Sequence, residues 1–528
     1  MVGGTDSRLI LLATVLTQRL NTMDPKLIDP QDQDAFDQLQ EKLVPLWSSL
    51  DHLNKDEQTI VVVPSADLDV ALTASHLQAY EERFLFMLFL LRQPRARLIF
   101  VTGQEISDEI VDYFLDLLPG VIRSNARKRL YFISPMEARW SSLTRKLLAR
   151  PHLIEEIRAL IPDQDRAHLV PFMTSWDDRE LAMRLGIPMY GADPAHMIYG
   201  TKSSGRQIFA EAGVVHPPGI EGLHSRAEVV AAVMKLVGDH PEVDRVIVKL
   251  NEGVSGFGNA TLDLRSLGEV TPDSVDQALG RLAIDSALGD LSTFFAHLER
   301  EGGVVEAMLS GEVVRSPSVQ LRITPLGEVE LLSTHDQILG GDSGQVFVGS
   351  RFPADGSYSR QISTSAARVG EVLAQRGVMG RFALDYVVVQ KPDGSWDEHA
   401  IEINLRKGGT THPFLTLQFL TDGQYDPESA VFVAPNGTEK HYVASDHVDI
   451  EGLEVFRPQD LLDLALLHDY HFDQATQTGV VFHMLSAMPT HGFVGVTCID
   501  NSHAEAEALY ERVIGFLTDQ ALAHQPDW

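Results

Sequence analysis

The sequence predicts an α/β region built on a parallel sheet, followed by α+β regions built on antiparallel strand pairs. Three observations predict it. Between residues 59 and 190, short β-branched runs alternate with helical stretches, the pattern of strands joined by crossover helices. From about residue 200 the runs come in pairs, separated by turns that contain Pro and Gly. The chain has 528 residues, enough for three or four domains of roughly 150 residues each. The expected divisions are 1–195, 196–425 and 426–528, the last a small α+β domain.

In the first region the expected strands are 59–63, 97–102 and 129–134, with helices near 76–91 and 107–117 between them. Ser175 and Asp178 form a capping box ahead of Leu181-Ala182-Met183, and Gly186 with Pro188 stops that helix. In the second region a helix opens at Lys202 and closes at Gly213. Three strand pairs follow: 245–250 with 260–264, 318–324 with 328–332, and 382–389 with 399–405. Pro325-Leu326-Gly327 and Pro392-Asp393-Gly394 supply the turns of the last two, since Pro presets φ and Gly permits positive φ. The third region offers strands at 479–485 and 493–499, then a helix capped by Ser502 and Glu505 whose Leu509, Val513, Phe516 and Leu517 share one face.

Composition excludes several function classes. With 43 Lys and Arg against 74 Asp and Glu, the net charge of −31 repels phosphate backbones and anionic lipid, so neither nucleic acid nor a membrane surface is an expected partner. The single cysteine, Cys498, rules out an intrachain disulfide and fits a reducing, cytoplasmic setting. No apolar run reaches the roughly 18 residues of a membrane span. Residues 9–16 have the length of a signal-peptide core, but Asp6 spoils the charged leader and no small-x-small cleavage site follows.

The sharpest chemistry lies at Glu402-Ile403-Asn404-Leu405-Arg406. Strand alternation sets Glu402, Asn404 and Arg406 on one face, with Ile403 and Leu405 packing the other. A carboxylate and an amide oxygen are hard ligands of the kind Mg²⁺ takes beside substrate phosphates. A hairpin symmetric about the Asp393–Gly394 bond sets Asp385 directly across from Glu402, whereas a bulge would turn Asp385 away. A second constellation is the strand ending in Lys249, followed by Glu252-Gly253-Val254-Ser255-Gly256-Phe257-Gly258, a glycine loop able to bring backbone N–H groups to phosphate oxygens. A strand, not a helix, follows that loop, which excludes a P-loop or a dinucleotide fold. Lys202, Arg322 and Arg381 add basic groups on the same elements. Residues 301–312 read as an apolar strand running into a hinge, with Glu306 and Met308 placed to meet an adenine edge and Glu312 near ribose hydroxyls. Gly341-Asp342-Ser343-Gly344 looks superficially like a protease nucleophile loop, but Gln345 follows and the all-β setting is missing.

Lys202, Lys249, the glycine hairpin, Val305-Glu306, Asp385 and Glu402-x-Asn404-x-Arg406, in this order, resemble the ATP-grasp superfamily. Tyr80-Glu81-Glu82-Arg83, Gly200-Thr201-Lys202, the run from His335 to Gly341 and Arg406-Lys407-Gly408-Gly409-Thr410-Thr411-His412-Pro413 look like the pheganomycin-type peptide ligases within it. The resemblance implies a pre-ATP-grasp domain, a two-subdomain ATP-grasp core and a family-specific C-terminal domain. It implies ATP-dependent carboxylate–amine ligation through an acyl phosphate, with a small-molecule acid and an amino acid or peptide amine as substrates. The alternatives are an ATP-grasp phosphotransferase and an inactive nucleotide-binding regulator. ATP and Mg²⁺ are the implied cofactors, two ions, with Mn²⁺ as a substitute. Asp385, Glu402 and Asn404 would hold metal. Lys202, Lys249, Glu252, Gly253, Ser255, Gly256, Phe257, Gly258, Glu306, Met308, Glu312 and Arg322 would bind nucleotide, and Arg406, Arg381 and Lys407 would act on the reacting groups. His335, Asp336, Gly409, Thr410 and His412 are the expected substrate contacts.

Overall fold

The computed structural model describes residues 30–50, 57–65, 74–139, 141–253, 258–282, 284, 290–340 and 346–524. The expectations for residues 9–16, for Ser255, Gly256 and Phe257, and for 341–344 lie outside the described residues.

The first region holds a four-stranded, all-parallel sheet in the order Leu130–Ile133, Ala96–Val101, Gln58–Val63, Ala167–Pro171. Its centre, Gln58–Val63, is buried at every position, as a strand covered on both faces must be. The strand Ala167–Pro171 was not expected, because His168 and a closing Pro interrupt its apolar run. The helix ahead of Gly186 carries the expected capping box, and Gly186 takes φ 72, a left-handed value that suits glycine. The expected helix over 76–91 divides: Ala74–Glu82 is α-helical, and Arg83–Arg92 tightens into a 3₁₀ turn buried on nearly all sides. Its unbroken apolar run gives no single face to put toward solvent, so the core encloses it.

A small antiparallel sheet follows in the order Gly219–Leu223, Gly303–Ala307, Arg245–Leu250, Asn259–Asp263. Among the described residues the largest sheet has nine strands, eight on one path and Val314–Arg315 paired beside it with Gly380–Gln390. Its path runs Trp396–Asn404, Gly380–Gln390, Pro317–Ile323, Val329–Gly340, Val346–Phe352, His441–Asp449, Phe493–Asp500, Gly479–His483. One face packs on the helix Gly356–Gln375 through Ile362, Val369, Leu384 and Ile403. The opposite face carries the polar residues of the site. Strands after residue 440 extend this same sheet, so the boundary expected near 425 does not interrupt its hydrogen bonding. The seam is tight: a Cβ on Gly349 would lie 2.3 Å from the Ala444 carbonyl oxygen. The C-terminal helix His503–Ala523 is capped by Ser502 and buries Leu509, Val513, Phe516 and Leu517 as expected. Cys498 is buried, and burial pushes its thiol far above the usual range. Among the described residues no helix is long and apolar enough to cross a membrane.

The Tyr80-Glu81-Glu82-Arg83 run staples the first region to the last. Glu81 accepts from Gly103 N at 2.6 Å, Glu82 accepts from Leu485 N at 2.6 Å and Ser486 N at 3.2 Å, and Arg83 Nη1 meets Asp446 Oδ2 at 2.5 Å. Burial pushes the Glu82 carboxyl up to about 7. A carboxyl raised in the folded state contributes stability that is complete below its unfolded value and lost as pH climbs to the folded one. The unfolding free energy of the wild type relative to Glu82→Gln should therefore fall by up to about 1.4 kcal/mol per pH unit between about pH 4.5 and 7, and level off above. Urea midpoints of the two proteins across that range check the slope; a flat difference would contradict it.

Candidate functional site

Asp385 and Glu402 are cross-strand partners, as expected, but the path to that register differs from the symmetric hairpin. Near the turn the pairing runs Tyr386 with Ala400 and Gln390 with Trp396, one step away from the register that would face Asp385 with Glu402. A β-bulge between Asp385 and Tyr386 leaves Ile401 as the extra residue and restores the facing pair. The bulge delivers Asp385 to the site instead of turning it away. Asn404 Nδ2 donates to Asp385 Oδ2 at 2.9 Å, and Gln337 Nε2, from the strand beyond Pro317–Ile323, donates to Oδ1 at 2.8 Å. Burial, together with the facing Glu402 carboxylate, pushes the Asp385 carboxyl up. Two carboxylates held face to face repel, and a divalent cation between them removes that repulsion; the donor set of two carboxylates and an amide oxygen suits Mg²⁺.

Across from this hairpin lies the glycine loop. Lys202 connects the two: its Nζ contacts Glu402 Oε1 and donates to the Gly253 carbonyl at 3.2 Å, while its backbone N donates to Asn251 O at 3.2 Å. Thr201 caps the helix Lys202–Glu211, so the lysine projects from a first turn whose N–H groups face the loop. Asn251 fixes the loop's root, accepting from Ser203 N at 2.9 Å and donating to Glu301 O at 2.8 Å. Gly258 takes φ +89 and closes the hairpin through Leu250 N to its carbonyl at 2.9 Å. Glu252 is exposed and Gly253 half-buried at the loop's near side.

Lys249 is buried and reaches Glu306 Oε2 at 2.6 Å, and Arg206 Nη1 reaches Oε1 at 2.8 Å. Glu306 is therefore a shared counter-ion held below the usual carboxylate range by Lys249 and Arg206 against the cost of burial. Its role as an adenine hinge is corrected: it stands mid-strand, paired with Ile247 and Gly219. Met308 N–H is committed to Arg245 O at 2.9 Å, so that donor is not turned to a ligand, and Glu312 is exposed on the loop beyond.

Six further expected residues are enclosed or turned to other partners. Arg381 and Arg322 face each other across neighbouring strands, four residues from the Asp385 and Ser318 level, about 13 Å at strand rise. Arg322 packs over Trp47 and pairs with Glu330; Arg381 is half-buried beside Tyr190, and desolvation pushes its guanidinium down to about 10. Lys407 is buried and donates to the Pro171 carbonyl at 2.6 Å, tying the hairpin's end to the parallel sheet instead of serving the reacting groups. His335 is fully buried among Phe352, Phe414 and Tyr442, within reach of Gln320 at 3.0 Å and Ser333 at 2.8 Å. Asp336 points through the opposite face of the sheet and accepts from Tyr358 Oη at 2.6 Å and Asp355 N at 3.0 Å. His412 is likewise buried, against His483 and Asp446.

Arg406 lies just past the strand end, half-buried near Glu402 and Asp385. Gly409 sits where a Cβ would meet the Phe347 ring at 2.4 Å, and Thr410 is buried beside Thr411, whose Oγ1 donates to Gln320 at 3.0 Å. The residues missed from sequence are Gln337, Arg206, Asn251 and Ser318, which pairs across the strands with Asp385 and hydrogen-bonds its carboxyl. Gln337 was within reach by alternation, since it shares a face with His335 two positions away. Arg206 could have been found four positions after Lys202 on the same helix face.

Residues 194–286 and 281–428 match the family described as IQCH-like, ATP-grasp, and residues 460–513 match the PGM1 C-terminal domain. The L-propargylglycine–L-glutamate ligase of Streptantibioticus cattleyicolor is 30% identical over 453 residues, covering 84% of this chain and 90% of that protein. The chain belongs to the ATP-grasp superfamily. This ATP-grasp chain is also 27% identical over 403 residues to IQ motif-containing protein H of Danio rerio, covering 67% of this chain but 37% of that longer protein. Its fold matches the biotin carboxylase–beta-gamma-ATP complex of Campylobacter jejuni with a TM-score of 0.52 at 13% identity, over 90% of this chain and 96% of the other.

Proposed function

We propose that this ATP-grasp chain is an ADP-forming carboxylate–amine ligase that joins an amino acid or related acid to the amino group of an amino acid or peptide. The observation that carries the reading is Lys202, which touches both the Gly253 carbonyl at the root of the glycine loop and the Glu402 carboxylate of the hairpin. Asp385, Glu402 and Asn404 hold Mg²⁺, two ions that Mn²⁺ can replace. Lys202 and Lys249 bind phosphate oxygens, with Glu252, Gly253 and Gly258 beside them. The bound metal supplies charge neutralisation at the phosphates. Arg406 faces charge that develops as a phosphoryl group passes from ATP to the acid's carboxylate and as the amine then attacks the carbonyl and expels phosphate. Gly409 and Thr410, between the hairpin and the helix Thr411–Thr421, border the acceptor substrate. The three regions divided near 195 and 425 act as a scaffold, an ATP-binding core and a C-terminal extension of its sheet. The ligase named in the comparison joins two amino acids, which favours amino-acid substrates here.

Hydroxylamine in place of the amine tests this reading. A screen of amino acids as the acid should give a hydroxamate and ADP in equal amounts with at least one of them. ADP formed with an acid substrate but without hydroxamate would point to phosphotransfer instead, and no substrate-dependent ADP across the screen would point to a regulator.

A further inference from the structure

His412, Asp446 and His483 come from three separate elements and aim one atom each at a common point. His412 is the second residue of the helix Thr411–Thr421, His483 ends the strand Gly479–His483, and Asp446 sits in the irregular stretch of His441–Asp449 where the register to Phe493–Asp500 shifts. The contacts form a near-equilateral triangle: His412 Nε2 to His483 Nε2 at 3.1 Å, His412 Nε2 to Asp446 Oδ1 at 3.1 Å, and His483 Nε2 to Asp446 Oδ1 at 3.2 Å. Hydrogen bonding alone satisfies such a triangle poorly. If both imidazoles donate to Oδ1, two N–H groups abut; if one donates, a ring nitrogen faces the other's nitrogen with its lone pair.

We infer that His412, Asp446 and His483 form a site for a zinc-class divalent cation, built from other residues than those proposed to hold Mg²⁺. Two imidazole nitrogens and one carboxylate oxygen are a zinc donor set, with ligand bonds of about 2.0–2.2 Å that span edges of about 3.3 Å in a tetrahedron, close to the triangle observed. Supporting contacts fix two of the ligands. Arg83 holds Asp446 by Oδ2, leaving Oδ1 turned inward, and Glu82 grips the backbone at Leu485 and Ser486 just after His483. Space for the second ring is built in: a Cβ on Gly495, opposite His483, would meet that ring at 2.2 Å. The Glu82-Arg83 pair thereby serves a site joining the first region, the end of the ATP-binding core and the C-terminal strands.

The inference does not depend on ligase activity, because metal content reads it directly. Full-length protein freed of any affinity tag is stripped with chelator, incubated with Zn²⁺, gel-filtered and assayed for bound metal. One equivalent per chain is expected, falling below about one tenth in His483→Ala and Asp446→Asn, and also in Gly495→Ala, which keeps every ligand but crowds the ring. Glu402→Gln should keep its zinc. X-ray absorption of the zinc-loaded wild type, which needs no variant to fold, should show two imidazole nitrogens in the first shell. A wild type that retains no zinc, zinc that survives all three substitutions, or a first shell without imidazole overturns the assignment.

Discussion

Glu402→Gln is expected to lower substrate-dependent ADP formation by about 100-fold or more while the chain stays folded. The substitution removes one of the two carboxylates that would face the metal, and the remaining oxygen binds Mg²⁺ weakly. Its structural consequences oppose each other. Lys202 loses its carboxylate partner but keeps the Gly253 carbonyl, and Asp385 loses the like charge that pushes its carboxyl up. The urea midpoint should move by no more than about 1 kcal/mol, the usual size of a partly exposed ion pair. A coupled assay for ADP, run across Mg²⁺ concentrations, checks this. The variant should need more Mg²⁺ and reach a lower ceiling; unchanged ADP release would remove Glu402 from the site.

Glu306→Ala should produce the largest loss of stability, about 3–5 kcal/mol, because removing one partner of a buried ionic cluster strands the others. Lys249 and Arg206 have side chains only 8% and 5% exposed, and Glu306 is the carboxylate both touch. Without it Lys249 is left to the repulsion of Arg206, which keeps Glu221 and the Pro217 carbonyl. An anion that reaches Lys249 would relieve part of that repulsion. ATP with Mg²⁺ should therefore raise the urea midpoint of Glu306→Ala by more than that of the wild type. Equal shifts would mean that the nucleotide phosphates do not approach Lys249.

The alternation of side chains along a strand is what made the carboxylate hairpin legible. Glu402 and Asn404 fall on one face and Ile403 and Leu405 on the other because the pleat has a period of two, and the core confirms it with Ile403 and Leu405 buried. Capping residues were equally local, so Ser175 and Ser502 marked their helices. The bulge at Ile401 left no such trace, since an inserted residue in a strand reads like its neighbours until the partner strand is known. Burial was the other blind spot. His335, Lys407 and Arg381 carry polar groups that suggest chemistry, yet each is enclosed, and its partners Tyr442, Pro171 and Tyr190 lie far away in sequence. The strands Val346–Phe352 and His441–Asp449 were missed for a related reason: they pair with each other across a long connection, so no turn between them announces a hairpin.

The central claim is that magnesium-bound triphosphate lies between the glycine loop and the hairpin of Asp385 and Glu402. A crystal structure with Mg²⁺ and a non-hydrolysable ATP analogue tests it most directly. The account predicts metal density against Asp385, Glu402 and the Asn404 amide oxygen, with phosphate oxygens reached by Lys202 and Lys249. A nucleotide bound elsewhere, or one whose phosphates leave both lysines on their present carboxylate partners, would contradict it.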